Sequence, residues 1–532
     1  MKTLCAVLLA GMLGVSAGCS DYLDVNTNPN SPQSVSANLY LPPMLHWMAT
    51  GPQYDGRYIG RYAQEWDWPT DPVDAFERMG YYKSSDAAAE QWRDVYWLIG
   101  QGLVDMMNKA EAEQRWDLLG VGQVIKAWGW QVLTDMHGNI IVKEAFDPTR
   151  HTFDYDSQQY VYTVIDSLLN QAITNLQRTD GAVDPSYLAR GDHMYNGDRT
   201  QWLKLAYGML ALNHNHYAPN KSSYNPQDVI SLVDKSFQSE DDDAIFPYPA
   251  ASADHADFNF WGQTRGNVQS YRQTQFIVHL MDGTEFGGAV DPRMSRMLAP
   301  SPDGQYRGLN IDDPTFGALP DSQIPNNFFG YPGTQRTGLP GRYIFSDKAE
   351  IPIMTYAELQ FIKAEAEYYA GDKAAALAAY KNGIGAHIDF VNRTNTEDGQ
   401  TPTQITAAQK DSFLTNPAVV PTDPNQLTLS AIMSQKYIAL WGWGHNELWL
   451  DMRRYHYTDK DPSNASLEIF RGFALPTNLD GDNGGKPVQR VRPRYNSDYV
   501  WNQAGLRAIG GLDADYHTKR IWITCQTDDC SS

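Results

Sequence analysis

Apolar residues recur at helical spacing over two long stretches of the chain. In VGQVIKAWGWQVLTDMHG, Val121, Val124, Ile125, Trp128 and Val132 fall on one helix face, and Gly138 is a stop signal. TQWLKLAYGMLALNHNHYA repeats the pattern through Trp202, Leu205, Ala206, Met209 and Leu210. The period returns in TYAELQFIKAEAEYYAGDKAAALAAYKNGI (355–384) and LSAIMSQKYIALWGWGHNELWLDMRRY (429–455). It fades over 240–345, where Pro and Gly are frequent, and again over 456–532. The pattern predicts a mainly α body over 37–532. Helices are expected over about 37–235 and 350–455, and a loop-rich cap with short strands over about 240–345 and 456–532.

Within 355–384, Ala364, Ala376, Tyr380 and Gly383 have the spacing of the small, small, aromatic and small positions of a tetratricopeptide unit. Small residues let two antiparallel helices approach, and Gly371-Asp372 supplies the turn. The repeat's further aromatic falls on Glu367, with Tyr368 beside it. A tetratricopeptide-like helix-pair scaffold is therefore expected.

The N-terminus carries a different pattern. Lys2 is followed by the short apolar run LCAVLLAGMLGV and then by small residues, which describes a secretory signal peptide over 1–18. Gly14–Gly18 also fits G-x-S-x-G, but a nucleophile elbow needs a strand before the serine and a helix after it. Here Asn26, Pro29 and Pro32 follow, and 19–36 reads as an extended tether. SAGC resembles a lipobox, although Ser16 stands where an aliphatic residue is usual, so Cys19 is expected to be lipidated. Several acyl chains on one residue anchor firmly, because one chain alone is marginal.

Charge and cysteines narrow the function. The net charge of −21 argues against nucleic acid, whose phosphates require basic patches. Cys525 and Cys530 are the cysteines left in the body and are expected to form a disulfide in an exported protein. The sequence implies no cofactor and no metal. NLDGDNGG (478–485) lacks the glycine and closing glutamate of a calcium loop and reads as a turn. His214 and His216 sit two apart, on different helix faces. SEDDD (239–243) reads as a solvated charge run.

Several segments together resemble the SusD/RagB family of outer-membrane nutrient-binding lipoproteins, in particular its second SusD-like branch. They are CSDYLDVNTNPNSP, LTDMHGNIIVKEAF, YNGDRTQWLKLAYGMLALNHNHY, DPRM (291–294), MTYAELQFIKAEAEYYAGD, QKYIALWGWGHNELWLDMRR and RPRYNSDYVWN (492–502). The resemblance implies a helix-pair scaffold under an irregular cap, anchored at the cell surface through Cys19. It implies a non-catalytic protein that catches an oligosaccharide, or in some members a peptide, for a TonB-dependent SusC-like transporter barrel. Tyr356, Glu358, Ala364, Glu365, Asp451, Arg453, Arg454, Arg494 and Tyr495 match family positions, with packing and buried ion pairs as their expected roles. An all-α glycosidase remains the enzymatic alternative, since aromatics and carboxylates also suit paired acid/base chemistry.

The resemblance fixes no ligand residues, so these are argued physically. Sugar C–H faces rest on aromatic rings while hydroxyls need polar neighbours. The chain is rich in Tyr (31) and Trp (15), and rings in loops are the better candidates. Three loop clusters qualify: Tyr54, Tyr58, Trp66 and Trp68; Trp261 with Arg265 and Asn267; and Phe328, Phe329 and Tyr331.

Overall fold

The structure is a computed structural model that describes residues 35–69, 73–313, 316, 319–336, 341–394, 404–527 and 530. The signal segment, nearly all of the tether and Cys19 lie outside the described residues.

The expected helices form. In order they are α1 (Leu41–Tyr62), α2 (Gly100–Ala112), α3 (Trp116–His137), α4 (Gln158–Gln177), α5 (Arg199–Asn215) and α6 (Pro226–Val233). After the first part of the cap, with α7 (Gln275–Met281), come α8 (Tyr356–Ala370), α9 (Lys373–Thr394), α10 (Ala407–Leu414), α11 (Leu429–Leu440) and α12 (His445–Arg454). Neighbours in sequence stack in space: α3 on α4, α4 on α5, α5 on α6, then α6 on α8, and α8 on α9 and α11. α12 closes back on α1.

Local chemistry sets the helix ends. Thr355 and Glu358 form a reciprocal capping box at the start of α8. Gly371 ends α8 at φ 86°, a backbone region that suits glycine. Ala364, Ala376 and Tyr380 are buried between α8 and α9, and Tyr380 donates to the Val419 carbonyl at 2.9 Å. The helical period expected over 429–455 is present. The chain breaks within it at Trp441–Gly444, where Gly442 takes φ 91°, and two helices result.

A buried ionic network ties the helices together. Lys436 of α11 lies 2.7 Å from both Glu447 and Asp451 of α12. Arg454 reaches Glu365 of α8 at 3.0 Å and Asp451 at 2.5 Å, and Tyr455 donates to Glu365 at 2.5 Å. Arg453 departs from the expected acid partner. It lies over the Trp449 ring at 3.7 Å and donates to the carbonyls of Asp135 and Gln489 at 2.7 and 3.0 Å. His214 and His216 diverge as expected: His214 sits between Asp166 and Asp228, and His216 bonds Glu447 at 2.8 Å.

The cap holds α7, and short strands accompany it, among them β1 (Trp66–Asp67), β2 (Ala244–Phe246), β3 (Arg272–Gln273) and β4 (Ile351–Met354). β1 pairs antiparallel with β3, and β2 with β4. SEDDD is not a fully solvated run. Asp242 and Asp243 are buried and pair with Lys204 at 2.6 Å and Arg393 at 3.0 Å. Asp243 also accepts from the Tyr356 backbone N–H at the start of α8. Residues 478–485 form a turn in which the buried Asn483 side chain donates to the Met79 and Lys486 carbonyls. Cys525 and Cys530 are disulfide-bonded.

Candidate functional site

The structure divides the ring clusters singled out in the sequence. Trp66, Trp261, Phe328 and Phe329 are fully buried, which corrects their expected role as ligand contacts. Trp66 meets Trp261 edge-on at 5.2 Å, His445 at 4.9 Å and Phe328 at 5.9 Å. Phe328 stacks on Phe345 at 4.4 Å, and the Trp261 indole N–H donates to Gln53. These rings are the core on which the cap sits. Arg265 and Asn267 hold their own loop together, donating to the carbonyls of Phe258 and Phe260 at 3.4 and 2.9 Å. Tyr331 is half-buried against the same core. Tyr54, Tyr58 and Trp68 keep exposed surface, Arg57 lies 4.0 Å over Tyr54, and Trp68 is 41% exposed.

A different pair of rings flanks a true cleft. Trp97 is 67% exposed and Trp501 is 73% exposed, and both line a cavity of about 410 Å³. Trp92, Tyr96, Phe146 and Phe153 supply its apolar walls; His151, Arg494, Asp498 and Asn502 supply polar groups. Two π-helical segments build the cleft: Asp94–Ile99 carries Tyr96 and Trp97, and Tyr495–Tyr499 carries Ser497 and Asp498. Such turns spend backbone regularity to re-aim side chains and recur at functional sites.

The walls are fixed by their bonds. The Tyr96 hydroxyl donates to the Ile141 carbonyl at 2.7 Å and accepts from the Ile141 N–H at 2.9 Å. Asn502 exchanges two hydrogen bonds with the Phe153 backbone, at 2.9 and 3.0 Å. Phe146 holds φ 67°, and its ring crosses Gly100 so closely that a Cβ there would lie 2.3 Å from it. Arg494 pairs with Asp86 at 2.6 Å, and the Arg93 guanidinium lies 4.8 Å from the Trp97 ring. Asp498 accepts from Tyr155 at 2.5 Å and Ser497 at 2.8 Å. Burial pushes its carboxyl above the ordinary carboxylate range, although these donors oppose the shift.

The arrangement suits binding. Flat indole faces take C–H surfaces, and the floor offers a few fixed polar groups. Asp498 is the only carboxylate among the lining residues, whereas glycoside hydrolysis requires two flanking the scissile bond. No loop cluster of aromatics in the sequence marks this cleft, although Trp501 and Arg494 both lie in RPRYNSDYVWN.

Solved structures share the fold at low sequence identity. A SusD/RagB family protein from Bacteroides thetaiotaomicron superposes with TM-score 0.66 at 21% identity, covering 92% of this chain and 99% of the other. A SusD homolog from Bacteroides fragilis gives 0.69 at 18%, covering 92% and 100%. A chitin-binding SusD homolog from Flavobacterium johnsoniae gives 0.63 at 18%, covering 92% and 99%. No curated protein matches the chain in sequence. The SusD-like_2 family model, described as "Starch-binding associating with outer membrane", matches residues 29–469. The chain therefore belongs to this SusD-like family of non-catalytic, outer-membrane-associated binding proteins.

Proposed function

We propose that the protein is a surface lipoprotein, anchored through Cys19, that binds oligosaccharide in the Trp97–Trp501 cleft and delivers it to a SusC-type TonB-dependent transporter. The pair of exposed tryptophans across an apolar cleft carries the reading of the site. Membership of the family supports a carbohydrate ligand and a SusC-type partner. The two exposed indoles line one apolar cleft together, and a contiguous apolar patch of that kind marks a binding site. The walls are held by backbone bonds, so the cleft is preformed and little ordering cost falls on the ligand.

Two of the similar structures are described as chitin-binding, which makes chito-oligosaccharides the first ligands to test, with malto-oligosaccharides beside them. Calorimetric titration is expected to give saturable binding to one of these series without release of shorter products. Saturable binding of a peptide library, with no glycan bound, would replace the saccharide with a peptide.

A further inference from the structure

A second cleft is lined mostly by residues after the family match, with Asn139 and His456 from within it. Its cavity of about 910 Å³ is lined by Lys486, Arg490, Lys519 and Arg520, together with Gln489 and Trp522. No carboxylate lines it among the described residues, in a chain whose net charge is −21. A cleft walled by one sign of charge focuses the field on a ligand of the other sign.

The charges are built in. The Arg490 guanidinium donates to the Lys519 carbonyl at 2.7 Å and also to that of Arg520. It thereby fixes the segment that carries two of the other cations, and among the described residues no carboxylate forms an ion pair with it. Lys519 shares its charge with Asp513 at 2.5 Å, while Lys486 is exposed. Two further observations specify the ligand. Gln489 is buried in the wall, and its side-chain carbonyl has no hydrogen-bond partner. Trp522 is half-buried, packed edge-on against Tyr162 and Tyr217 with the Lys221 ammonium 4.2 Å from its ring, and it also lines the cleft beside the cations. An unmet acceptor needs a hydroxyl or N–H donor, an indole takes a C–H face, and the cations need an anion.

We infer that this cleft binds an acidic saccharide, one whose ring bears a carboxylate or a sulfate. Its saccharide part rests on the family reading above; its charge does not. The site is separate from the Trp97–Trp501 cleft, with which it shares no lining residue. An acidic saccharide or acidic branch would thus be recognised independently of whatever occupies the Trp97–Trp501 cleft.

The test is calorimetric titration of the intact protein with an oligogalacturonate, a heparin-derived oligosaccharide and a neutral galacto-oligosaccharide of equal length. Binding of either acidic probe, about tenfold tighter than the neutral one and weakening with added salt, is expected. The uronate and sulfate arms identify which anion the cleft prefers. K486E/R520E, both exposed, is expected to lower that affinity about tenfold or more, and W97A/W501A to leave it unchanged. Equal affinity for acidic and neutral probes, indifference to K486E/R520E, or equally tight binding of an oligoaspartate would overturn the inference. Loss of neutral-glycan binding in W97A/W501A alone concerns the other cleft, so the two readings fail separately.

Discussion

The network around Lys436 predicts a large, specific loss of stability. Lys436 is fully buried, and its ammonium sits 2.7 Å from Glu447 and from Asp451. Burial opposes its charge, but those two carboxylates and Glu365 outweigh burial and raise its pKa. Lys436→Met keeps the stem volume and removes the charge. Glu365, Glu447 and Asp451 then face Arg454 and His216 without the central cation. Removing one partner of a buried pair costs about 3–5 kcal/mol, because the remaining charge stays desolvated. Guanidinium unfolding followed by tryptophan fluorescence should show a lower midpoint at an unchanged slope. K436M/D451N should lose less than the two single variants summed, since the asparagine removes one orphaned charge. A K436M loss below about 1 kcal/mol, the range of an exposed pair, would refute the reasoning.

Three other perturbations follow from particular contacts. Burial pushes the Asp55 carboxyl from 3.8 up to about 7, against the N–H donors of Glu90 and Gln91. A raised carboxyl pKa means the folded state holds the proton longer, so this term of stability falls as pH rises from about 4 to about 7. Asp55→Asn should therefore gain on the wild type over that window, by up to roughly 4 kcal/mol; parallel pH–stability curves would contradict it. Gly100→Ala puts a Cβ 2.3 Å from the Phe146 ring, so it should displace that wall, cost about 1–3 kcal/mol and weaken glycan binding, as thermal shift and titration can show. Ala376→Leu overfills the buried α8–α9 contact and should lower stability by about 1–3 kcal/mol while leaving affinity intact; a neutral melting curve would be evidence against close packing there.

The scaffold was legible in the sequence because helix pairing leaves a periodic record. The small residues Ala364 and Ala376 and the aromatic Tyr380 mark the α8–α9 contact at fixed spacing, and Glu365, Asp451 and Arg454 mark the buried network. The cleft was not legible, for two physical reasons. An irregular cap has few ladder hydrogen bonds and needs rings for its own core. The loop aromatics Trp66, Trp261 and Phe328, which look available in sequence, are spent there. Trp97 is hidden the other way. It lies in a helical stretch, where the wider π turn leaves it outward while Val95 and Ile99 stay buried. Its partner Trp501 stands near the far end of the chain, and only the fold brings the two to one cavity. The break at Trp441–Gly444 leaves no mark in the apolar pattern, because the period continues through a turn set by the backbone of Gly442.

The central claim is that the exposed tryptophans form the glycan site, and one titration tests it most directly. The glycan that binds the wild type should be titrated into W97A/W501A, with Trp68→Ala as the control at another exposed ring. Both rings lie outside the core, so folding is expected to be unchanged in each variant. The account predicts an affinity lowered about tenfold or more in W97A/W501A, from two lost aromatic contacts of roughly 0.5–1.5 kcal/mol each, and wild-type affinity in Trp68→Ala. Wild-type affinity in W97A/W501A, or a loss confined to Trp68→Ala, would contradict it.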